Sequence, residues 1–203
     1  MPRKRTVPRD DVLQRATGLF WRRGYEATSV QDLVDATGAN RTGLYGDFTD
    51  KRGLFLSALD RYADSFVGWA FGRVEAEGAT VDAIRDYFET LIDLNVRRGL
   101  PSEGCLMANS MTEVAPRDEE VRARVRAHVD RQRRGFRQAL VNSRAAGRLA
   151  PYVDVDAAAH LLAVATQGFA AYSRICTDAT ELRGFVDSLL APLSAPPRKE
   201  ETR

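Results

Sequence analysis

Helical periodicity runs through almost the whole chain, broken at intervals by capping and turn residues, while the alternation suited to strands is nearly absent. Leu13, Ala16, Leu19 and Phe20 repeat at helical spacing, and Gly24 stands where a C-terminal cap belongs. Thr28 and Gln31 have capping-box spacing and open a short helix with Val30, Leu33 and Val34 on its inner face. That helix stops near Thr37–Gly38. Asn40 is a suitable N-cap for a second short helix that turns Leu44 and Phe48 inward. Asp50 then caps a longer helix carrying Phe55, Leu59, Tyr62 and Phe66. A fifth helix follows from Val81, Ile84, Phe88 and Leu91, and a short sixth spans Cys105–Val114. Asp118 caps a long seventh helix that Gly147 and Pro151 end. Asp154–Ile175 and Asp178–Leu193 supply two more amphipathic helices, and Ser194–Arg203 reads as a disordered polar tail. The expectation is an all-α protein of about nine helices.

Composition narrows the class. The 203 residues are 44% hydrophobic and 29% charged, as in ordinary globular proteins. Charges interrupt every apolar stretch well short of the ~20 residues of a membrane span. Met1–Asp11 is basic but has no apolar run after it, so no secretory signal is expected. Cys105 and Cys176 fit no zinc or disulfide framework, and His128 and His160 are too isolated for a metal site. Neither a nucleotide loop nor a hydrolase motif is present, so no enzyme activity, cofactor or metal is expected. A reducing cytoplasm is the expected compartment.

A net charge of +2 says little about partners, but its distribution says more. Arg3, Lys4, Arg5 and Arg9 meet no acidic residue before Asp10. Such an arm can follow phosphates or enter a minor groove, and it can equally be a solvated terminus. The stretch Arg117–Arg137 has eight arginines against four acids, a pattern expected to form intrahelical pairs on a solvated helix face.

The segment Thr28–Phe48 has the proportions of a helix-turn-helix, two short helices around Gly38. With Leu44 and Phe48 inward, Thr42, Gly43, Tyr45 and Gly46 look outward and Arg41 lies on the flank. So small a surface allows close approach to a major groove, with hydroxyls and one guanidinium as donors. Lys51 and Arg52 begin the next helix, where its dipole disfavours a cation unless an anion is adjacent. A generic three-helix subdomain would satisfy the same pattern.

Ala16–Leu54 resembles the signature of the TetR family of transcriptional regulators almost position by position. Matching positions include Ala16, Phe20, Gly24, Ala27-Thr28-Ser29-Val30, Leu33, Gly38, Leu44-Tyr45, Phe48, Lys51 and Leu54. The resemblance implies a DNA-binding repressor with Tyr45 and Lys51 on the DNA backbone and Thr28, Arg41 and Thr42 also contacting DNA; Gly43, outward by helix geometry, completes the candidate DNA-binding set. Two departures stand out: Asn40 replaces the usual Ser, and Gly46 a larger residue. The resemblance further implies a helix-turn-helix domain over 1–53 and an effector-binding and dimerisation domain over 54–193. Gly104–Val125 resembles a segment of one TetR subgroup.

The implied partners are double-stranded operator DNA, a second copy of the chain and a small-molecule effector. Dimerisation is expected through the last two helices, with Leu182, Phe185, Val186, Leu189 and Leu193 on one stripe. Candidates for the effector site are Trp69, Met107, Asn109, Met111, His128, Gln132, Phe136 and Phe169, apolar walls with a few polar groups. Each could instead be core or a satisfied structural hydrogen bond. Cys105 fits two roles, an inert buried thiol or a redox sensor whose pKa is lowered by a helix N-terminus and by Arg97-Arg98. The alternative to a regulator is a helical small-molecule binder or enzyme that no longer binds DNA.

Overall fold

The computed structural model describes residues 7–194; the basic residues Arg3, Lys4 and Arg5 and the tail beyond Ser194 lie outside the described residues. The chain is all-α as expected: α1 (Arg9–Arg23), α2 (Val30–Thr37), α3 (Arg41–Phe48), α4 (Lys51–Tyr62), α5 (Gly68–Glu75), α6 (Val81–Arg98), α7 (Leu106–Glu113), α8 (Glu119–Ala145), α9 (Val155–Tyr172) and α10 (Ala179–Leu190). A π-helical turn over Ala63–Val67 joins α4 to α5 without a break, so the single fourth helix of the sequence reading contains one irregular turn. An isolated antiparallel bridge links Leu149 and Ser194. No helix among the described residues is long and apolar enough to cross a membrane.

Caps set most boundaries. Asn40 and Asp50 accept backbone N–H bonds at the helices they open, as their spacing predicts, and Asp154 and Asp178 do the same at theirs. The capping box of α2 falls one residue later than expected. Ser29 accepts from the Asp32 N–H at 3.1 Å, and the Asp32 carboxylate accepts from the Ser29 N–H at 2.8 Å. Thr28 cannot serve there, because its hydroxyl donates to the Gly24 carbonyl at 2.6 Å inside the core. Gln31 reaches along the helix to Asp35 instead.

Packing divides the chain into two compact units. Among the described residues the first comprises 7–69 and 103–128, the second 70–102 and 129–194. The sequence-based boundary at residue 53 isolates the helix-turn-helix, whereas the first packed unit also takes in α4 and α7. The physical reason is contact with α1: the Trp21 indole donates to the Gly104 carbonyl at 3.0 Å, and Glu113 accepts two N–H bonds just beyond α1. Phe20, Phe55 and Leu59 form the centre of this unit and are fully buried, each contributing about 1.5–3 kcal/mol of apolar transfer free energy. Phe71, Phe88 and Phe136 hold the corresponding place in the second unit.

Charges on α8 form the expected intrahelical pairs in part and also reach neighbouring helices. Arg122–Glu119, Arg124–Glu120 and Arg133–Asp130 are intrahelical, but Arg124 also pairs with Asp60 of α4 at 2.8 Å and Arg131 with Glu75 of α5 at 2.6 Å. Long guanidinium side chains reach neighbouring helices more favourably than the sparse acids of α8 itself. The apolar stripe expected over Asp178–Leu193 also divides. Leu182, Val186 and Leu193 are buried in their own protomer, which leaves Phe185 and, half-buried, Leu189 on the outward side.

Candidate nucleic-acid interface

Residues with little freedom build the turn between α2 and α3. Gly38 adopts a left-handed conformation (φ 74°) and donates to the Val34 carbonyl, a standard helix ending that a β-carbon would strain. Arg15 of α1 donates to the Thr37 carbonyl at 3.0 Å, satisfying the C-terminal end of α2 from outside. Asn40 accepts from the Gly43 N–H at 2.7 Å and starts α3.

On α3, Leu44 and Phe48 point into the core, while Arg41, Thr42, Gly43, Gly46 and Asp47 are exposed and Tyr45 is half-buried. The Arg41 guanidinium lies over the Tyr45 ring at 5.7 Å, which holds both at the rim of the helix. No heavy atom outside α3 lies within 4 Å of a β-carbon built on Gly46, so the outward surface has a notch there. Four of the six residues assigned to DNA from the sequence, Arg41, Thr42, Gly43 and Tyr45, thus lie together on α3, and Lys51 opens the next helix. Thr28 is the exception: it is fully buried and supports the approach to α2 instead.

The exit from α3 is strained. Thr49 has φ 69° and ψ −55°, and the Asp50 N–H donates to the Phe48 carbonyl at 2.8 Å, a γ-turn centred on a β-branched residue. This turn aims the Phe48 carbonyl at Gly53, where any β-carbon would lie 2.2 Å from that oxygen. The compact corner puts Lys51 in the first turn of α4. Its ammonium sits over the Tyr25 ring, 4.2 Å from the centroid. The neighbouring Arg52 is engaged otherwise, donating twice to Asp118 at 2.6 and 2.9 Å and once to Glu120 at 3.0 Å. Of the two cations at this helix start, Lys51 therefore remains available for an anion. Beside Arg52 the Asp118 carboxyl falls to about 2, held down chiefly by that hydrogen bond.

The effector candidates divide between the units. Trp69, Met107, Asn109, Met111 and His128 belong to the first, Gln132, Phe136 and Phe169 to the second. Trp69 is 60% exposed, whereas Met107, Phe136 and Phe169 are core. Asn109 donates to the Glu103 carbonyl at 3.0 Å and so shapes the loop before α7. Gln132 lies in a buried chain, donating to the Tyr87 hydroxyl at 3.1 Å and accepting from Gln167 at 2.7 Å. Burial pushes the Cys105 thiol pKa up, a larger effect than the opposing hydrogen bonds from Tyr62 and the N–H groups of Ala108 and Met107. This runs against the lowered thiol pKa that the sensor reading of Cys105 expects. Among the described residues no group of three or more His, Cys, Asp or Glu is placed to hold a metal ion.

Two family models match the chain. Residues 12–58 match the bacterial regulatory proteins of the tetR family, and residues 80–189 match the tetracyclin repressor-like C-terminal domain. The chain belongs to the TetR family. It is 36% identical over 173 residues to the HTH-type transcriptional repressor ComR of Escherichia coli (strain K12), covering 85% of this chain and 82% of that protein. It is 31% identical over 183 residues to the HTH-type transcriptional regulator YezE of Bacillus subtilis (strain 168), covering 90% and 94%. A TetR transcriptional regulator from Chloroflexus aurantiacus superposes with a TM-score of 0.78 at 28% identity, over 92% of this chain and 95% of that one. CifR, a TetR family regulator complexed with double-strand operator DNA, gives 0.75 at 28% identity, over 94% and 99%.

Sequence reasoning missed Tyr25 and Glu113. Tyr25 stands directly after Gly24, and its aromatic ring among polar neighbours was the available signal. Glu113 carried none, because its partners are backbone N–H groups far away in sequence.

Proposed function

We infer that this TetR family member is a DNA-binding transcriptional repressor, reading a two-fold repeated operator as a homodimer and released from it by a small-molecule effector. The observation that carries the DNA reading is the exposed face of α3. Arg41, Thr42, Gly43 and Gly46 are accessible there, with Tyr45 beside them and Lys51 on the next helix. Its small side chains let the helix backbone approach base edges, while a hydroxyl, a phenol and two cations supply donors for phosphates and bases. The likeness to operator-bound CifR supports the same use of this face. A helical binder that has given up DNA is not favoured, since it has no need of so bare a helix face.

The dimer reading rests on a different surface. Leu161, Val164 and Tyr172 lie along one side of α9, with Ile175 just beyond its end; they are 43–74% exposed, and Phe185 of α10 is 38% exposed. Apolar side chains at that density are covered in a stable soluble protein, and a second copy is the cover that a two-fold operator requires. Ligand and DNA are then linked, each weakening the binding of the other. Work on DNA of this kind belongs in the cytoplasm, with no membrane partner and no cofactor.

Salt titrations on a duplex selected from a random pool test the DNA reading. Tyr45→Phe and Lys51→Ala weaken binding to all sequences alike, and Lys51→Ala lowers the salt slope by about 1. Arg41→Ala relaxes preference at one position in each half-site. Wild-type affinity in all three variants refutes this placement of the interface.

A further inference from the structure

Lys51 opens α4, in the turn where the helix dipole is least hospitable to a cation, yet its ammonium is not left to wander. It lies 4.2 Å from the centroid of the Tyr25 ring, a distance at which the negative face of the ring attracts it. That ring is itself fixed. It stacks on Phe20 at 6.2 Å and packs against Phe55 at 4.7 Å, two residues at the centre of the first unit. Its backbone is fixed from a third side, by α7. The Glu113 carboxylate accepts from the Tyr25 N–H at 3.1 Å and from the Glu26 N–H at 2.9 Å, closing over the turn that leads from α1 to α2. Gly24 leaves room for that carboxylate: a β-carbon there would lie 2.8 Å from both Glu113 oxygens, at a φ of 84° that already disfavours one.

We propose that Tyr25 is a positioning residue for operator binding, holding Lys51 over the DNA backbone, and that Glu113 is the clamp by which α7 holds Tyr25. The proposal rests on the assignment of Lys51 to phosphate made above. It gives α7 a direct mechanical hold on a DNA-contacting cation through one carboxylate, two N–H groups and one ring. Withdrawing Glu113 frees the turn and, with it, the ring that restrains Lys51.

The test is a pair of double-mutant cycles, with binding of a duplex selected from a random pool by the wild-type chain measured against salt concentration. Tyr25→Leu weakens binding about two- to five-fold, the range a partly exposed cation–ring contact supports, and Tyr25→Phe, which keeps the ring, binds as wild type. Glu113→Ala weakens binding in the same direction by a smaller factor. In a Lys51→Ala background both substitutions lose their effect, because the group they position is gone. A loss caused only by loosening the fold persists in that background, and equal losses in both backgrounds overturn the proposal. Should Tyr25→Leu fail to fold, the Glu113→Ala cycle decides the matter by the same rule. If Lys51→Ala itself leaves affinity and salt slope unchanged, the phosphate assignment fails first and takes the relay with it.

Discussion

The outward residues of α3 are Arg41, Thr42, Gly43, Gly46 and Asp47, short or polar; those of α9 include Leu161, Val164 and Tyr172, large and mostly apolar, beside the polar Asp156 and His160 and the small Ala157, Gly168 and Ala171, with Ile175 exposed just beyond its end. Both helices bury one face in their own unit and present the other to solvent. They differ in what can cover that second face. An apolar face gains from contact with another apolar face and loses by staying wet, so it calls for a protein partner. A face of small side chains with a guanidinium and a phenol at its rim gains little from apolar cover. It leaves the helix backbone within reach of a charged, hydrated partner, which suits a groove of DNA. One chain thus carries two unfilled surfaces with opposite chemistry.

The largest expected effect is on the apolar face. Leu161 is 56% exposed in the protomer, so Leu161→Arg leaves the protomer folded but buries an unpaired charge on association, at a cost of several kcal/mol. Sedimentation shows the wild type as a dimer and the variant as a monomer with unchanged helicity. A variant that remains dimeric removes α9 from the interface. Leu182→Arg is the informative contrast, because Leu182 is fully buried within its own protomer and its loss unfolds the chain.

Next comes the corner that sets α3 against α4. Gly53→Ala puts a β-carbon 2.2 Å from the Phe48 carbonyl, a collision with backbone that costs about 1–3 kcal/mol. Chemical denaturation measures this loss, and operator affinity falls with it as Lys51 shifts. Unaltered stability would mean that the turn at Thr49 is laxer than its geometry indicates.

The link between Arg52 and Asp118 gives a pH signature. Asp118 is only 17% exposed, accepts two hydrogen bonds from Arg52 and also accepts the N–H groups of Glu120 and Val121 at the start of α8. Its folded-state pKa of about 2 lies below its unfolded value, so the unfolded state binds the proton more readily. The stabilisation is complete above the ordinary carboxylate pKa and is lost as pH falls from there toward 2. Thermal melts across that range therefore drop more steeply for the wild type than for Asp118→Asn, which is already without the charge. Parallel profiles contradict the pairing.

The smallest effect distinguishes the two surfaces most finely. Gly46 lies mid-helix with open space around it, so Gly46→Ala raises stability by about 0.5–1 kcal/mol. On a face built for close approach the added methyl lowers operator affinity even as the melting temperature rises. A stabilised variant with improved operator binding would show that the notch is not part of the interface.

Most of the fold was legible because caps and periodicity are local. Asn40, Asp50, Asp154 and Asp178 each begin the helix their chemistry suggests. The α2 cap slipped by one residue because Thr28 and Ser29 are equally good caps in sequence. Only burial of Thr28 against the Gly24 carbonyl decides between them. The exposed face of α3 was legible for the same local reason, since Leu44 and Phe48 fix which way the helix turns. What escaped were contacts between distant segments: Glu113 on the turn after α1, Arg52 on Asp118, Tyr25 under Lys51. The α10 stripe was legible only as a whole, because Leu182 and Val186 alternate with Phe185 along one helix, and sequence does not say which side meets the protomer's own core. The π turn at Ala63–Val67 left no mark in the hydrophobic pattern.

The central claim is that the bare face of α3, presented twice by a dimer, reads DNA. Selection of bound duplexes from a random pool by the wild-type chain tests it most directly. Enriched sequences should share an inverted repeat whose half-sites lie about one helical turn (34–36 Å) apart or a multiple of it, and Arg41→Ala should blur one position in each half-site. A pool that stays random through successive rounds, or that converges on a single unrepeated motif bound by one protomer, would contradict the account.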